Sequence, residues 1–309
     1  MRIGVDLGGT KIEAIVLDDG GQTRERRRIP SPQGDYSATI RAIVELVASL
    51  AGADQAAVGV AIPGSVSPAT GRIKNANSTW LIGHAMDRDL AEALGCPVRL
   101  ANDADCFALS EAVDGAAAGA AHVFGVIVGT GCGGGLVIGG RPVSGPNAIV
   151  GEWGHNPLPW PQDEERPGPQ CYCGKRGCIE TWLSGPGLAA DHLRTTGETL
   201  EAPQIAARAQ AGDAECGATL ARYMDRMARG LAGVINVLDP EVIVLGGGVS
   251  NIQALYKGVP ARWGRYVFSD RVDTRLAQAM HGDSSGVRGA AWLWSGHAAR
   301  RQPEPPGST

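Results

Sequence analysis

Three cysteines fall within the eight positions CYCGKRGC, residues 171–178, in a chain of 309 residues that holds only seven cysteines. Together with His155 they give the pattern His155-x15-Cys171-x-Cys173-x4-Cys178, four soft or borderline donors, which is the complement of a closed structural zinc site. A disulfide knot, a redox site and free thiols in a loop are the competing readings. Cys96, Cys106, Cys132 and Cys216 stand singly. An odd total, with no apolar leader ahead of Gly4, leads us to expect a reducing cytosol, where clustered thiols bind metal. Lys175 and Arg176 inside the cluster would offset the charge of three thiolates on a dication, which suits metal better than a disulfide.

The second kind of chemistry lies in the glycines, of which there are 45. Asp6-Leu7-Gly8-Gly9-Thr10-Lys11 combines free backbone N–H groups, a hydroxyl, a cation and a carboxylate suited to magnesium, and glycine lets phosphate oxygens approach where a Cβ would block them. A similar layout recurs at Gly129, Thr130, Gly131, Gly133, Gly134 and Gly135, and a third run is Gly246, Gly247 and Gly248. One such loop alone reads as a plain hairpin turn. Three, each at the end of an expected strand, read as a phosphate site. No Walker A pattern occurs, and Gly129-x-Gly131-x-x-Gly134 leads into the strand-like LVIGG rather than a helix, which disfavours a Rossmann site. The third candidate is Asp103 in VRLANDADC, where Asn102 and Asp103 open a helix after a short strand. They read as a helix cap or as a catalytic acid.

The elements that must position these groups alternate. Strands are expected at Ile3–Asp6 and Ile12–Leu17 around the first glycine turn, then at Ala56–Ile62 and Val98–Ala101, with a helix over Ser37–Leu50 and another ending near Leu238 before the buried run VIVLG. This is an α/β fold that uses one hairpin device twice. The small, glycine-punctuated stretch at 112–122 marks the domain boundary, giving a small domain over 1–117, joined by a C-terminal helix near 287–299, and a large one over 118–286. The proline-rich residues 300–309 read as a disordered tail.

Composition sets limits on function. With 43% hydrophobic and 19% charged residues the chain can bury a large core, and no apolar run reaches the about 18 residues of a membrane helix. A net charge of −4 provides no basic field for nucleic acid. The short run Arg24, Arg26, Arg27 and Arg28 reads as a solvated strand edge.

DLGGTK, the GTGCGGG stretch, and GEWGHNPLPW followed by CYCGKRGCIE resemble the ROK family of bacterial sugar kinases and related repressors, over residue 3 to about residue 293. The resemblance implies an actin-like ATPase (ribonuclease H-like) fold: two α/β domains, each with a five-stranded sheet, and a nucleotide cleft between them. It implies that Asp103 is the general base and that Gly64, Ser65, Asn77, Asn102, Asp103, Glu152, His155 and Glu180 meet the sugar. ATP and Mg2+ would be held by Asp6, Gly8, Gly9, Thr10, Lys11, Gly129, Thr130, Gly131, Gly133, Gly134, Gly246, Gly247 and Gly248. A structural Zn2+ would be held by His155, Cys171, Cys173 and Cys178, with His155 also offering its other ring nitrogen to the sugar. Such a metal contributes on the order of 10 kcal/mol locally, and without it the loop PLPWPQDEERPGPQ is expected to melt and sugar binding to fail.

The expected function is therefore phosphorylation of a hexose by ATP in the cytoplasm, with neither nucleic acid nor membrane as partner and with a homodimer implied by the family. The wording of GEWGHNPLPW and CGKRGCIETW looks most like proteobacterial fructokinases, so fructose is the first expectation. Glucose, mannose and N-acetylglucosamine remain as alternatives. A sugar-responsive repressor is disfavoured because Asp6 leaves no room for a preceding DNA-binding domain, and a catalytically dead sugar-binding module because Asp103 and the glycine loops are intact.

Overall fold

The structure, a computed structural model, describes residues 1–50 and 56–294. Among the described residues the strands are β1 (Arg2–Leu7), β2 (Lys11–Leu17), β3 (Thr23–Pro30), β4 (Ala57–Ile62), β5 (Ser65–Val66), β6 (Ile73–Lys74), β7 (Val98–Asn102), β8 (His122–Val128), β9 (Cys132–Ile138), β10 (Arg141–Pro142), β11 (Val242–Gly246) and β12 (Arg275–Gln278). The helices are α1 (Tyr36–Ala48), α2 (Met86–Leu94), α3 (Asp103–Val113), α4 (Glu180–Leu183), α5 (Gly185–Thr196), α6 (Ala202–Gln210), α7 (Ala214–Leu238), α8 (Leu255–Gly258), α9 (Pro260–Trp263) and α10 (Ser285–Trp292).

Two five-stranded sheets share one plan, β3-β2-β1-β4-β7 and β10-β9-β8-β11-β12. In each, a hairpin supplies the antiparallel half, and two later strands add in parallel on the other side of the hairpin's first strand. The device read twice in the sequence is thus the same half-sheet built twice. Strand β11, parallel to both its neighbours, is buried and apolar on both faces, as a parallel strand covered by helices must be, whereas β1 puts Ile3, Val5 and Leu7 on one face and Arg2, Gly4 and Asp6 on the other. The arginine run lies on edge strand β3, but not simply in solvent. Arg26 and Arg28 converge on the carboxylate of Glu13, which is only 1% exposed.

Helices α3 and α10 lie back to back between the sheets: α3 packs on β8 and β9, and α10 packs on β1 and β4. Glycine permits this closeness. A Cβ on Gly289 would sit 1.7 Å from the Cys106 carbonyl oxygen of α3, and one on Gly59 would sit 1.9 Å from the Ala290 oxygen of α10. The expected boundary at 117/118 falls in the connection between α3 and β8, while α3 itself seats on the second sheet. The expected C-terminal helix begins at Ser285, and residues 295–309, including the expected tail, lie outside the described residues.

One expectation is corrected. Gly133, Gly134 and Gly135 belong to strand β9, paired with Ile127, Val126 and Gly125, and not to a loop. Gly134 and Gly135 are small because neighbours press on the strand: a Cβ on Gly134 would lie 3.0 Å from the Gly151 oxygen, and one on Gly135 would lie 2.4 Å from the Ala104 oxygen at the start of α3. Only Gly129 to Gly131 form the turn, closed by a bond from the Gly129 N–H to the Gly131 carbonyl at 3.0 Å.

Candidate active site

The site is assembled from strand ends. Strand β7 stops at Asn102 because its side chain caps α3: Oδ1 accepts from the Ala104 N–H at 2.9 Å while Nδ2 donates to the Gly64 carbonyl at 2.9 Å. Asn102 therefore ties the helix start to the turn after β4. That turn needs glycine, since Gly64 has φ of +91° and a Cβ there would lie 2.5 Å from the Lys74 oxygen. Asp103 follows as the first residue of α3, and one of its oxygens accepts from the Ala104 N–H at 2.8 Å.

Asp103 opens into a cavity of about 590 Å3. The walls include Gly64, Asn77 and Asn102 from the first sheet's side, and Gly129, Thr130, Gly131, Gly133, Gly134, Glu152, His155, Cys173 and Glu180 from the second. Protein surrounding the cavity thins the water around Asp103 and raises its pKa, with the negative charge of Glu152 adding to the rise and the Ala104 N–H opposing it. Glu180, at the head of α4, is fixed by the Cys132 N–H, which donates to its Oε2 at 2.9 Å. Trp153, beside Glu152, donates from Nε1 to the Gly133 carbonyl at 3.1 Å and so fixes that turn against β9.

Ser65 does not line the cavity. Its hydroxyl donates to the Ala148 carbonyl at 3.2 Å, and nearby Lys74 donates to the Asn147 carbonyl at 2.6 Å, so this β5–β6 hairpin clasps the loop after β10. Asp6, Gly8, Gly9, Thr10, Lys11 and the run Gly246 to Gly248 also lie outside its walls, at the carboxyl ends of β1 and β11, where open α/β sheets bind ligands. Gly247, with φ of +81°, packs its Cα against the end of β8 so closely that a Cβ would meet the Val128 oxygen at 2.4 Å, which sets the third glycine run beside the Gly129 turn. Asp6 has its pKa raised from the ordinary 3.8 to about 7, by burial first and then by Asp103 and Glu13, with Lys11 and Arg28 opposing. A divalent cation near this carboxylate would relieve that repulsion, so Asp6 fits a magnesium-holding role.

The four predicted zinc donors do converge. Their ligand atoms all lie within 4.8 Å of one another. His155 Nδ1 is 3.7 Å from Cys171 Sγ, and Cys173 Sγ is 3.6 Å from Cys178 Sγ. A tetrahedral zinc with its usual bond lengths needs edges of about 3.5 to 3.8 Å, so the residues fit that ion. The Lys175 backbone N–H chiefly holds the Cys173 thiol below its ordinary pKa, whereas Arg176 turns away and donates to the Gly168 carbonyl at 3.1 Å. His155 Nε2, expected to face the sugar, instead meets the Tyr172 hydroxyl at 3.0 Å.

The proline-rich loop has an anchor that the sequence reading missed. Glu165, 6% exposed, takes Arg226 Nε at 2.7 Å and Arg229 Nη1 at 2.7 Å from α7, and Arg229 Nη1 also donates to the Trp160 carbonyl at 2.9 Å. The loop is therefore held independently of the cysteines. Two cavity-side residues, Tyr172 and Asn75, were missed as well, and so was Asp105, which lies outside the cavity walls. Tyr172 lies hidden among the cysteines in sequence. Asn75 takes a left-handed φ of +56°, which asparagine tolerates and which its place in KNANST hints at. Asp105 carries a buried Oδ1 without a hydrogen-bond partner, and burial, then Asp103 and Glu152, lift its pKa from 3.8 to about 7.

Two duplicated α/β sheets, with two central helices and a cleft at their strand ends, define an actin-like ATPase fold. The ROK family model matches residues 2–297, and the chain belongs to the ROK family. An N-acetyl-D-glucosamine kinase of Escherichia coli strain K12 is 39% identical over 302 residues, covering 95% of this chain and 99% of that protein. A ROK hexokinase from Thermus thermophilus superposes with a TM-score of 0.82 at 32% identity, covering 94% of this chain and 96% of that one. A ROK family glucokinase from Streptomyces griseus, solved with glucose and AMPPNP, gives a TM-score of 0.75 at 27% identity, covering 94% and 98%. Among the described residues, no helix is long and apolar enough to cross a membrane.

Proposed function

We propose that this chain is an ATP- and Mg2+-dependent hexose kinase whose preferred sugar is N-acetyl-D-glucosamine. One observation carries the kinase reading: a single cavity brings the Asp103 carboxylate together with the Gly129–Gly134 backbone and the Glu152 and Glu180 carboxylates. Phosphoryl transfer requires mainly positioning and charge stabilisation. Asn77, Glu152 and Glu180 hold the sugar's hydroxyls, and Asp103 accepts the proton of the attacking hydroxyl as its oxygen bonds to the γ-phosphorus and the bond to the bridging oxygen of ADP breaks. The glycine N–H groups, Thr10 and Lys11 cradle the phosphates, and Asp6 would hold the magnesium. Magnesium, when bound, neutralises charge on the phosphates. Zinc, held by His155, Cys171, Cys173 and Cys178, would fix the segment between Glu152 and Glu180.

The choice of sugar rests on the relative that is 39% identical across 95% of the chain, an N-acetylglucosamine kinase. It favours N-acetylglucosamine over the fructose expected from the GEWGHNPLPW and CGKRGCIETW wording. A coupled assay of ADP release with fructose, mannose, glucose, N-acetylglucosamine and N-acetylmannosamine tests this. N-acetylglucosamine should give the highest kcat/KM. Fructose in first place would restore the fructokinase reading, and no release with any sugar would remove the hexose kinase assignment.

A further inference from the structure

Tyr172 stands between two zinc-site cysteines, is 79% exposed and borders the cavity. Its ring meets that of His155 edge-on, with centroids 5.1 Å apart and planes at 86°, and its hydroxyl is 3.0 Å from His155 Nε2. Tautomer chemistry fixes the direction of that bond. His155 Nδ1 faces Cys171 Sγ, so a metal in the cluster takes the Nδ1 lone pair and the ring proton resides on Nε2. Nε2–H therefore donates to the Tyr172 oxygen. The phenol then points its own proton elsewhere, and among the described residues its hydroxyl bonds to His155 alone.

The neighbours decide what that proton meets. Glu152 and Glu180 are carboxylates in the same wall, which accept and so recognise the hydroxyl protons of a sugar. Tyr172 adds the opposite character, a neutral donor whose accepting side is already occupied. Its best complement is an oxygen that cannot donate, such as an amide carbonyl. We propose that the Tyr172 hydroxyl, oriented by His155, donates to the acetamido carbonyl of an N-acetylated hexose and so sets the preference for that sugar over its unsubstituted counterpart. His155 thus reaches the substrate through Tyr172 and not directly. This inference rests on the sugar kinase reading above.

Tyr172→Phe deletes the donor and keeps the ring. Kinetics and calorimetric binding of N-acetylglucosamine and glucose are compared in the intact, zinc-loaded protein, with metal content measured alongside. The expected result is a loss in KM and Kd for N-acetylglucosamine about fivefold greater than that for glucose, falling in KM rather than kcat, with zinc retained. Equal losses for both sugars, or none, overturn the proposal. A second measurement does not depend on how the variant folds: the wild-type protein should bind the N-thioacetyl analogue, a poorer acceptor, about fivefold more weakly than N-acetylglucosamine. Equal binding overturns the proposal while leaving the kinase reading intact. A wild-type protein inert towards N-acetylglucosamine in the ADP assay overturns both.

Discussion

Asp103 and Asp105 show how neighbouring carboxylates divide by environment. Asp103 reaches the cavity and is stabilised by the Ala104 N–H, whereas Asp105 has a buried oxygen with no partner and a pKa of about 7. A carboxyl whose folded pKa lies above its unfolded value adds stability that is complete below about pH 4 and is lost as pH rises through about 7. The ligand-free protein should therefore lose thermal stability between those limits. Asp105→Asn should flatten the fall, raising the midpoint at about pH 8 by about 5 °C relative to wild type. Parallel melting curves across pH check this, and an unaltered slope in the variant would contradict it. At this scale the sequence was informative where residue type limits the role: Asn102 and Asp103 were legible as a helix start, and His155, Cys171, Cys173 and Cys178 as a convergent donor set by spacing. Asp105 and Tyr172 were not, because their significance comes from what surrounds them.

At the scale of elements, close backbone approach and buried charge decide what works. Expected strand and helix positions agree with β1, β2, β4, β7 and α1 to within two residues, since their apolar patterns are long enough to show a period. The glycine stretch at 133–135 misled because glycine serves both tight turns and crowded strands, and only the distant start of α3 reveals which applies. Glu165 misled for a related reason: its partners Arg226 and Arg229 come from another element, so PLPWPQDEERPGPQ looked short of anchors. Removing that carboxylate leaves Arg226 with Asp191 and Arg229 with Asp225 as their remaining carboxylate partners, and cuts the loop's tie to α7. Glu165→Ala should destabilise the protein by about 2–3 kcal/mol in urea unfolding, and a change below about 1 kcal/mol would show that the loop is held by other means.

Across the whole molecule, duplication explains the site. Each half-sheet ends its strands at the cleft, and α3 and α10, locked through Gly4, Gly59 and Gly289, hold the halves in register. The doubled plan was readable from recurring apolar runs around glycine, but the cavity that unites residues 64 to 180 was not, because convergence across a cleft leaves no periodic mark in a sequence. The same plan assigns Asp103 a central place, at the start of the helix that faces the second sheet and in the wall shared by both halves. Turnover and sugar affinity of Asp103→Asn, measured side by side, test its role as general base most directly. With the base removed, kcat should fall by about 10^3-fold while Kd for N-acetylglucosamine stays within about threefold of wild type; a kcat within about tenfold of wild type would rule out that role.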